Sequence, residues 1–406
     1  MTAEEQAALV VIGQTYLYPN YRQPPLVLVR GEGRRVWDAT GKSYLDLYAG
    51  IAVTALGHAH PDVVAALREQ AQRLGHIANY YYNEPNILLA RELCQRTGFD
   101  RAFFCNSGTE AIEALFKLAR RHFYGNGQPK RQNIIAFERS FHGRTLGALA
   151  ATGQAAYREG FGPLPGVIFV PFGDADAVAA RLDESVAAVI VEPVQGEGGV
   201  LPAPPGFLAE LRRLTTARGA LLLADEIQTG IGRTGRFLGS EHAGVKPDAI
   251  ALAKGLAGGV PIGAMLCQKH LEKALPPGSH GSTFGGNPLA SAVARAVIAR
   301  IDADGLVDRA RDHGAYLGQR LAELAKRHPL SVETSRGLGL LQALVLQPSF
   351  DARSLLESLR EAGVLLTVAG GTALRFSPAL NIEKSEIDEG IAIVDRVLSA
   401  LEREQR

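Results

Sequence analysis

The sequence predicts an α/β protein: a large domain with a mainly parallel sheet flanked by helices, plus a smaller α+β domain. Two observations carry this. From about residue 60 to 270, short runs that are apolar throughout alternate with stretches of helical period, the pattern of strands buried on both faces. Polar residues then recur just after those runs, where ligands bind in such sheets. A chain of 406 residues is long enough for both domains.

The strands are expected at 101–105, 133–137, 167–170, 187–191, 220–224 and 249–253. Helices lie between them. One carries Ala111, Leu115 and Leu118 on a single face, and another carries Phe207, Leu208, Leu211 and Leu214. Pro204-Pro205-Gly206 opens the second and Gly219 closes it. Asn287-Pro288 precedes a long helical region at 289–301 and 306–327. The tail alternates strands at 339–345 and 373–377 with helices at 354–361 and 385–401. The expected division is 1–50 as an N-terminal segment packing with the small domain, 51–288 as the large domain and 289–406 as the small domain.

Composition excludes several classes of function. A formal net charge of +1 offers nothing to nucleic acid or an anionic membrane. No run of eighteen apolar residues occurs, so no membrane span is expected. The opening Met-Thr-Ala-Glu-Glu-Gln is acidic and polar, unlike a secretory leader. Cys94, Cys105 and Cys267 are sparse, odd in number and lack metal spacing, which suits a reducing cytoplasm. His58 and His60 show no third ligand, so they read as turn histidines and no metal is expected.

Three segments carry candidate chemistry. In Asn106-Ser-Gly-Thr-Glu-Ala111, Ser107 and Glu110 have capping-box spacing, and Glu113 and Lys117 stand one turn apart. Gly108 and Thr109 at this helix start would offer free N–H groups and a hydroxyl to a phosphate; an ordinary N-cap accounts for the segment as simply. Asp225 ends the buried run Leu221-Leu-Leu-Ala-Asp225. A carboxylate there needs a cationic partner, either a protonated pyridine nitrogen or an arginine, unless it caps a helix. Lys254 ends Ala249-Ile-Ala-Leu-Ala-Lys254, where desolvation would favour Schiff-base chemistry, although a lysine snorkelling from a strand end is common. Gly230-Ile-Gly232-Arg-Thr-Gly235 matches G-x-G-x-x-G, but Asp225 and Glu226 precede it and no helical period follows. A nicotinamide site is therefore rejected.

Taken in order, Asn106-Ser-Gly-Thr-Glu-Ala111, Phe141-His-Gly-Arg-Thr145, Glu192-Pro-Val-Gln-Gly-Glu-Gly-Gly199, Ala224-Asp-Glu-Ile-Gln-Thr-Gly230, Ala253-Lys-Gly255 and His280-Gly-Ser-Thr-Phe-Gly-Gly-Asn-Pro288 resemble the class III pyridoxal-phosphate aminotransferases of fold type I. The resemblance runs from Asn20-Tyr21 to Arg375-Phe-Ser-Pro378. In Leu56-Gly-His-Ala-His-Pro61 and Asn79-Tyr-Tyr-Tyr-Asn-Glu-Pro85 it looks most like the subgroup that acts on N2-acetylornithine.

The resemblance implies pyridoxal 5'-phosphate held by Lys254 as a Schiff base, with Lys254 also moving the substrate proton. It implies Asp225 on the pyridine nitrogen, Gln228 on the ring hydroxyl, Phe141 and Ile227 on the ring faces, and Ser107, Gly108 and Thr109 at the phosphate. Ser282 and Thr283 would also bind the cofactor, with Thr283 reaching the phosphate of a neighbouring subunit, which implies a homodimer with interfacial sites. Arg144 would bind the α-carboxylate of acetylornithine and Arg375 that of glutamate or 2-oxoglutarate. Glu197 would neutralise Arg375 when the first substrate is present. Tyr21 would line the same pocket, and Gly50 would leave room for the acyl group. The implied reaction moves the distal amino group of N2-acetylornithine to 2-oxoglutarate, in arginine biosynthesis in the cytoplasm. Succinylornithine, carrier-bound lysine or ornithine, free ornithine and 4-aminobutyrate are the alternative donors.

Overall fold

A computed structural model describes residues 1–164 and 166–404. Its central sheet has seven strands, in spatial order Arg101–Cys105, Gly263–Cys267, Ala249–Leu252, Leu221–Asp225, Val186–Val191, Asn133–Phe137 and Val167–Val170. The last five pair in parallel. The six expected strands all form, with ends shifted by at most one residue. The seventh, Gly263–Cys267, is antiparallel to both neighbours. It was not expected, because no α-helix separates it from Ala249–Leu252 and the alternation that marks the other strands is missing there.

Burial on both faces explains the apolar runs. Leu222 packs with Phe207, Leu208 and Leu211 on one side, while Leu221 and Leu223 pack with Ala111, Ile112 and Leu115 on the other. Burying one such leucine contributes about 1.5–3 kcal/mol, so both faces hold the sheet. Helix Phe207–Arg218 sits between Gly206 and Gly219, each left-handed, which ends the helix cleanly at both sides.

The long helix Leu306–Arg327 forms with the expected limits. It packs on an antiparallel sheet of Val332–Leu338, Leu341–Leu346, Ala373–Phe376 and Thr367–Ala369. Val332–Leu338 was not expected; it is polar and mostly half-exposed, so its sequence lacks a buried-strand pattern. Near the amino end, Leu28–Glu32, Arg35–Asp38 and Ser43–Asp46 form a further sheet that Val364–Leu365 completes.

After Ser43–Asp46 the backbone turns the unusual way. φ is 49, 61, 64 and 62° at Ala49, Gly50, Ile51 and Ala52. The turn is closed by Ala52 N–H to Tyr48 O at 3.0 Å and Val53 N–H to Ala49 O at 2.8 Å. A left-handed turn costs about 1–2 kcal/mol per non-glycine residue, and β-branched Ile51 suits it least. Surrounding contacts must hold it.

Candidate active site

The carboxyl ends of the parallel strands open onto a cavity of about 420 Å³ whose walls include Lys254, Asp225, Glu192, Glu197 and Gln228. Lys254 follows Ala249–Leu252 after one residue, Ala253, and has φ 38°. Enclosure pushes its amine pKa down, against the pull of Glu197. Asp225 is 4% exposed. Its Oδ2 lies 2.7 Å from His142 Nδ1, and its Oδ1 accepts the Ile227 N–H at 3.0 Å. Glu192 is also buried and accepts the Phe141 N–H at 3.1 Å. Burial, then the nearby Asp225, push the Glu192 carboxyl well above its ordinary range.

Arg375 is 1% exposed and pairs with Glu197. Its Nε and second terminal nitrogen donate to Thr367 Oγ1 at 3.4 and 3.3 Å. Gln228 joins the pair, accepting from Arg375 at 3.3 Å and donating to Glu197 at 3.4 Å. Gly196 makes room for it: a Cβ there would lie 2.0 Å from Gln228 Oε1. Burial alone would raise the Glu197 pKa, but Arg375 and Lys254 bring it below the ordinary carboxylate value. Arg144 also lines the cavity, stacked 3.9 Å from the Tyr157 ring centroid. Among the described residues it has no carboxylate partner.

At the start of helix Gly108–Gly125, the N–H groups of Gly108 and Thr109 have no intrahelical acceptor. Ser107 Oγ accepts the Glu110 N–H at 3.4 Å, but Glu110 reaches back to Asn106, not to Ser107, so the capping box is not closed. Nor do Glu113 and Lys117 pair: Glu113 bonds Thr145 and Ala148, and Lys117 donates to His280. Thr109 Oγ1 accepts the Arg144 and Thr145 N–H groups at 3.2 and 3.3 Å, bracing the loop after Phe141. Gly143 is obligatory beside it, since a Cβ there would come within 2.2 Å of that oxygen.

Several expected residues lie elsewhere. Tyr21 does not line the cavity; it is 75% exposed on the segment after helix Ala3–Tyr16, which buries none of its side chains. Thr283 is exposed, whereas Ser282 Oγ accepts from Asn106 Nδ2 at 3.2 Å. Gly50 is exposed too, with open space around its Cβ position except for Val53, which does line the cavity. The loop through Gly230 and Gly235 leads to a short 3-10 turn, Gly239–Ala243, whose Gly239 and Ser240 N–H groups bond the buried Glu226 carboxylate. His58 bonds Asp46, and His60 caps helix Pro61–Arg73.

Residues 16–398 match the family model described as aminotransferase class-III. The chain is 49% identical over 383 residues to the acetylornithine aminotransferase of Myxococcus xanthus, covering 94% of this chain and 95% of the relative. The chain is a class III aminotransferase. This aminotransferase is also 46% identical over 394 residues to the succinylornithine transaminase of Salmonella typhimurium, covering 96% and 95%. The solved ornithine aminotransferase of Toxoplasma gondii, described with PLP at its active site, superposes with a TM-score of 0.94. It shares 35% identity over 99% of this chain and 96% of that one. The fold is fold type I, and enzymes of this class use pyridoxal phosphate.

The cavity suits that cofactor chemically. It presents one amine of lowered pKa, a buried carboxylate for a protonated ring nitrogen, and free N–H groups at a helix start for a phosphate. Sequence reasoning gave no role to His142, Glu192 or Thr367. His142 and Glu192 stood in motifs already singled out, so their places in the chain were legible but their partners were not. Thr367 carried no signal.

Glu192 yields a pH prediction. Its raised folded pKa means that the native carboxyl keeps a proton the unfolded chain has released. The resulting stability is present at low pH and lost as pH rises towards the folded pKa, at about 1.4 kcal/mol per pH unit. Glutamine mimics the protonated form and keeps the acceptor for Phe141. Thermal melts of the apoprotein should therefore show Glu192→Gln matching wild type in acid and exceeding it increasingly towards neutral pH. Parallel curves would contradict a proton on Glu192.

Proposed function

We propose that this enzyme transfers the distal amino group of N2-acetylornithine to 2-oxoglutarate, as a cytoplasmic homodimer serving arginine biosynthesis. The observation that carries the reading is the buried Arg375–Glu197 pair beside Lys254. A guanidinium that already has a carboxylate partner does not penalise the uncharged part of an acylated diamine. The same guanidinium, once freed, grips a dicarboxylate bidentately. The relatives from Myxococcus and Salmonella support an N-acylated ornithine as donor.

When bound, pyridoxal phosphate withdraws electrons from the carbon that bears the amino group. Lys254 Nζ carries the cofactor, and its lowered pKa suits it to accept and return the proton of that carbon. Asp225 holds a proton on the ring nitrogen, and His142 orients Asp225. Gln228 meets the ring hydroxyl, Phe141 and Ile227 enclose the ring, and Ser107, Gly108 and Thr109 bind the phosphate through the helix start. Arg144, free of any carboxylate among the described residues, takes the α-carboxylate of the acylated donor.

We read residues 51–288 as the cofactor-binding domain and 289–406, with 1–50, as the domain that brings Arg375. The pairing of Ser43–Asp46 with Val364–Leu365 supports that grouping. A second copy is supported by apolar surface on adjoining segments: Tyr80, Tyr81, Tyr82 and Phe284 are each more than half exposed, and Asn79 ties the two segments together through Ser282 and Gly285. In that dimer Thr283, beside Ser282, reaches the partner's phosphate, and Tyr21 reaches the substrate from its surface segment.

The test is kcat/KM across acetylornithine, succinylornithine, ornithine and 4-aminobutyrate with 2-oxoglutarate as acceptor. Acetylornithine is expected to lead free ornithine by about 10–100-fold. A lead for 4-aminobutyrate or free ornithine would overturn the donor assignment, and one for succinylornithine would move it to the larger acyl group.

A further inference from the structure

The left-handed turn Ala49–Ala52 is clamped by side chains that take no part in the chemistry above. Asp46, 4% exposed, accepts the N–H groups of Tyr48 and Ala49 on Oδ1 at 3.1 and 2.8 Å. Its Oδ2 lies 2.7 Å from His58 Nε2. His58 is locked in turn: its backbone exchanges hydrogen bonds of 3.0 and 2.7 Å with Gly33. Gly31 makes this possible, because a Cβ there would lie 2.7 Å from His58 Cγ. One carboxylate thus brackets the turn from residue 46 before it to residue 58 after it.

The turn connects the parts of the site that must keep their distance. Ser377, two residues beyond Arg375, donates its N–H to Leu47 O and its hydroxyl to Tyr48 O, both at 2.9 Å. Leu380 N–H donates to Ala55 O at 2.8 Å. On the other side, Gly255 next to Lys254 packs against it: a Cβ there would lie 3.7 Å from Ala52 O and 3.5 Å from Ala55 Cβ. Val53, directly after the turn, lines the cavity.

We infer that Asp46 and His58 are positioning residues: by clamping the left-handed turn they set how far Arg375 stands from the Lys254 side of the cavity, where Arg144 also lies, and with it the length of dicarboxylate that the two guanidinium groups accept. The inference rests on the reading that Arg375 grips a carboxylate and Lys254 carries the cofactor. A backbone held in a left-handed conformation by side-chain bonds relaxes when those bonds are removed, and that distance relaxes with it. Glycine at residue 51 removes the steric objection to the turn and so lessens the need for the clamp.

The test uses the holoenzyme and the unreactive dicarboxylates glutarate and adipate, with binding read from the cofactor's absorbance. Asp46→Ala should reduce the preference for glutarate over adipate by about tenfold or more. Asp46→Asn, which keeps the Oδ1 acceptor, should retain most of the preference, and Ile51→Gly added to Asp46→Ala should restore part of it. Wild-type selectivity in Asp46→Ala overturns the proposal. So does a loss that follows the melting temperature and is not recovered by Ile51→Gly. If Asp46→Ala does not fold, His58→Phe, which keeps a ring but loses the bond, should shift selectivity the same way to a smaller degree; an unchanged ratio overturns the clamp. Failure of the underlying reading looks different, because glutarate would then leave the cofactor's absorbance unchanged in the wild-type protein.

Discussion

Lys254→Ala is expected to lose the visible absorbance of covalently held cofactor and at least about 10⁴-fold in kcat. The amine sits at the end of Ala249–Leu252 in the same cavity as Asp225 and Glu197. No second lysine is among that cavity's lining residues, so nothing there can substitute for it. The fold should survive, because alanine accepts the residue's φ of 38° no worse than lysine does. Phosphate and ring contacts should still retain cofactor non-covalently, so a binding assay separates loss of attachment from loss of the site. Wild-type protein that stays colourless with added pyridoxal phosphate would sink the assignment of Lys254.

The second large effect is expected at the Arg375–Glu197 pair, where the two partners should fail in opposite half-reactions. Arg375→Ala leaves Glu197 enclosed without its main counter-charge, a cost of about 3–5 kcal/mol for a broken buried pair. Part of that cost falls on folding. The part that falls on catalysis should appear as a loss of about 10²–10³ in kcat/KM for 2-oxoglutarate, with a smaller loss for the amine donor. Glu197→Ala should do the reverse, leaving Arg375 free for the dicarboxylate but penalising the donor's uncharged chain. Single-turnover measurements of each half-reaction separate the two. Equal losses in both half-reactions for Glu197→Ala would refute an alternating pair.

Much of the site was legible because its residues obey local rules. Asp225 and Lys254 each end an apolar run, and a charge at that position demands an explanation wherever the run packs. Glu197 and Arg375 were named from motifs, and the structure brings them into contact across 178 positions of sequence. For other residues the structure shows surroundings that motifs and spacing do not state. Tyr21 stands outside the cavity of the single chain, and Thr109, which lines it, also braces the loop after Phe141 through its hydroxyl oxygen. The bonds of Glu110, Glu113 and Lys117 went to residues one position to more than a hundred positions away from the expected partner, because helix spacing says which side chains can meet and not which partners outcompete them.

The sequence by itself determined the alternation of strands and helices, the limits of Leu306–Arg327, and the strand ends at which Asp225 and Lys254 lie. These follow from periodicity and burial, which are written into consecutive residues. Only the tertiary structure decided that His142 backs Asp225, that Glu192 is enclosed beside it, and that Gln228 joins Arg375 to Glu197. It alone revealed the left-handed turn, since Ala-Gly-Ile-Ala carries no local preference for positive φ beyond its glycine. Asp46 holds that conformation through bonds two and three residues along the chain, while the contacts of His58 and Ser377 form only once more distant segments have packed.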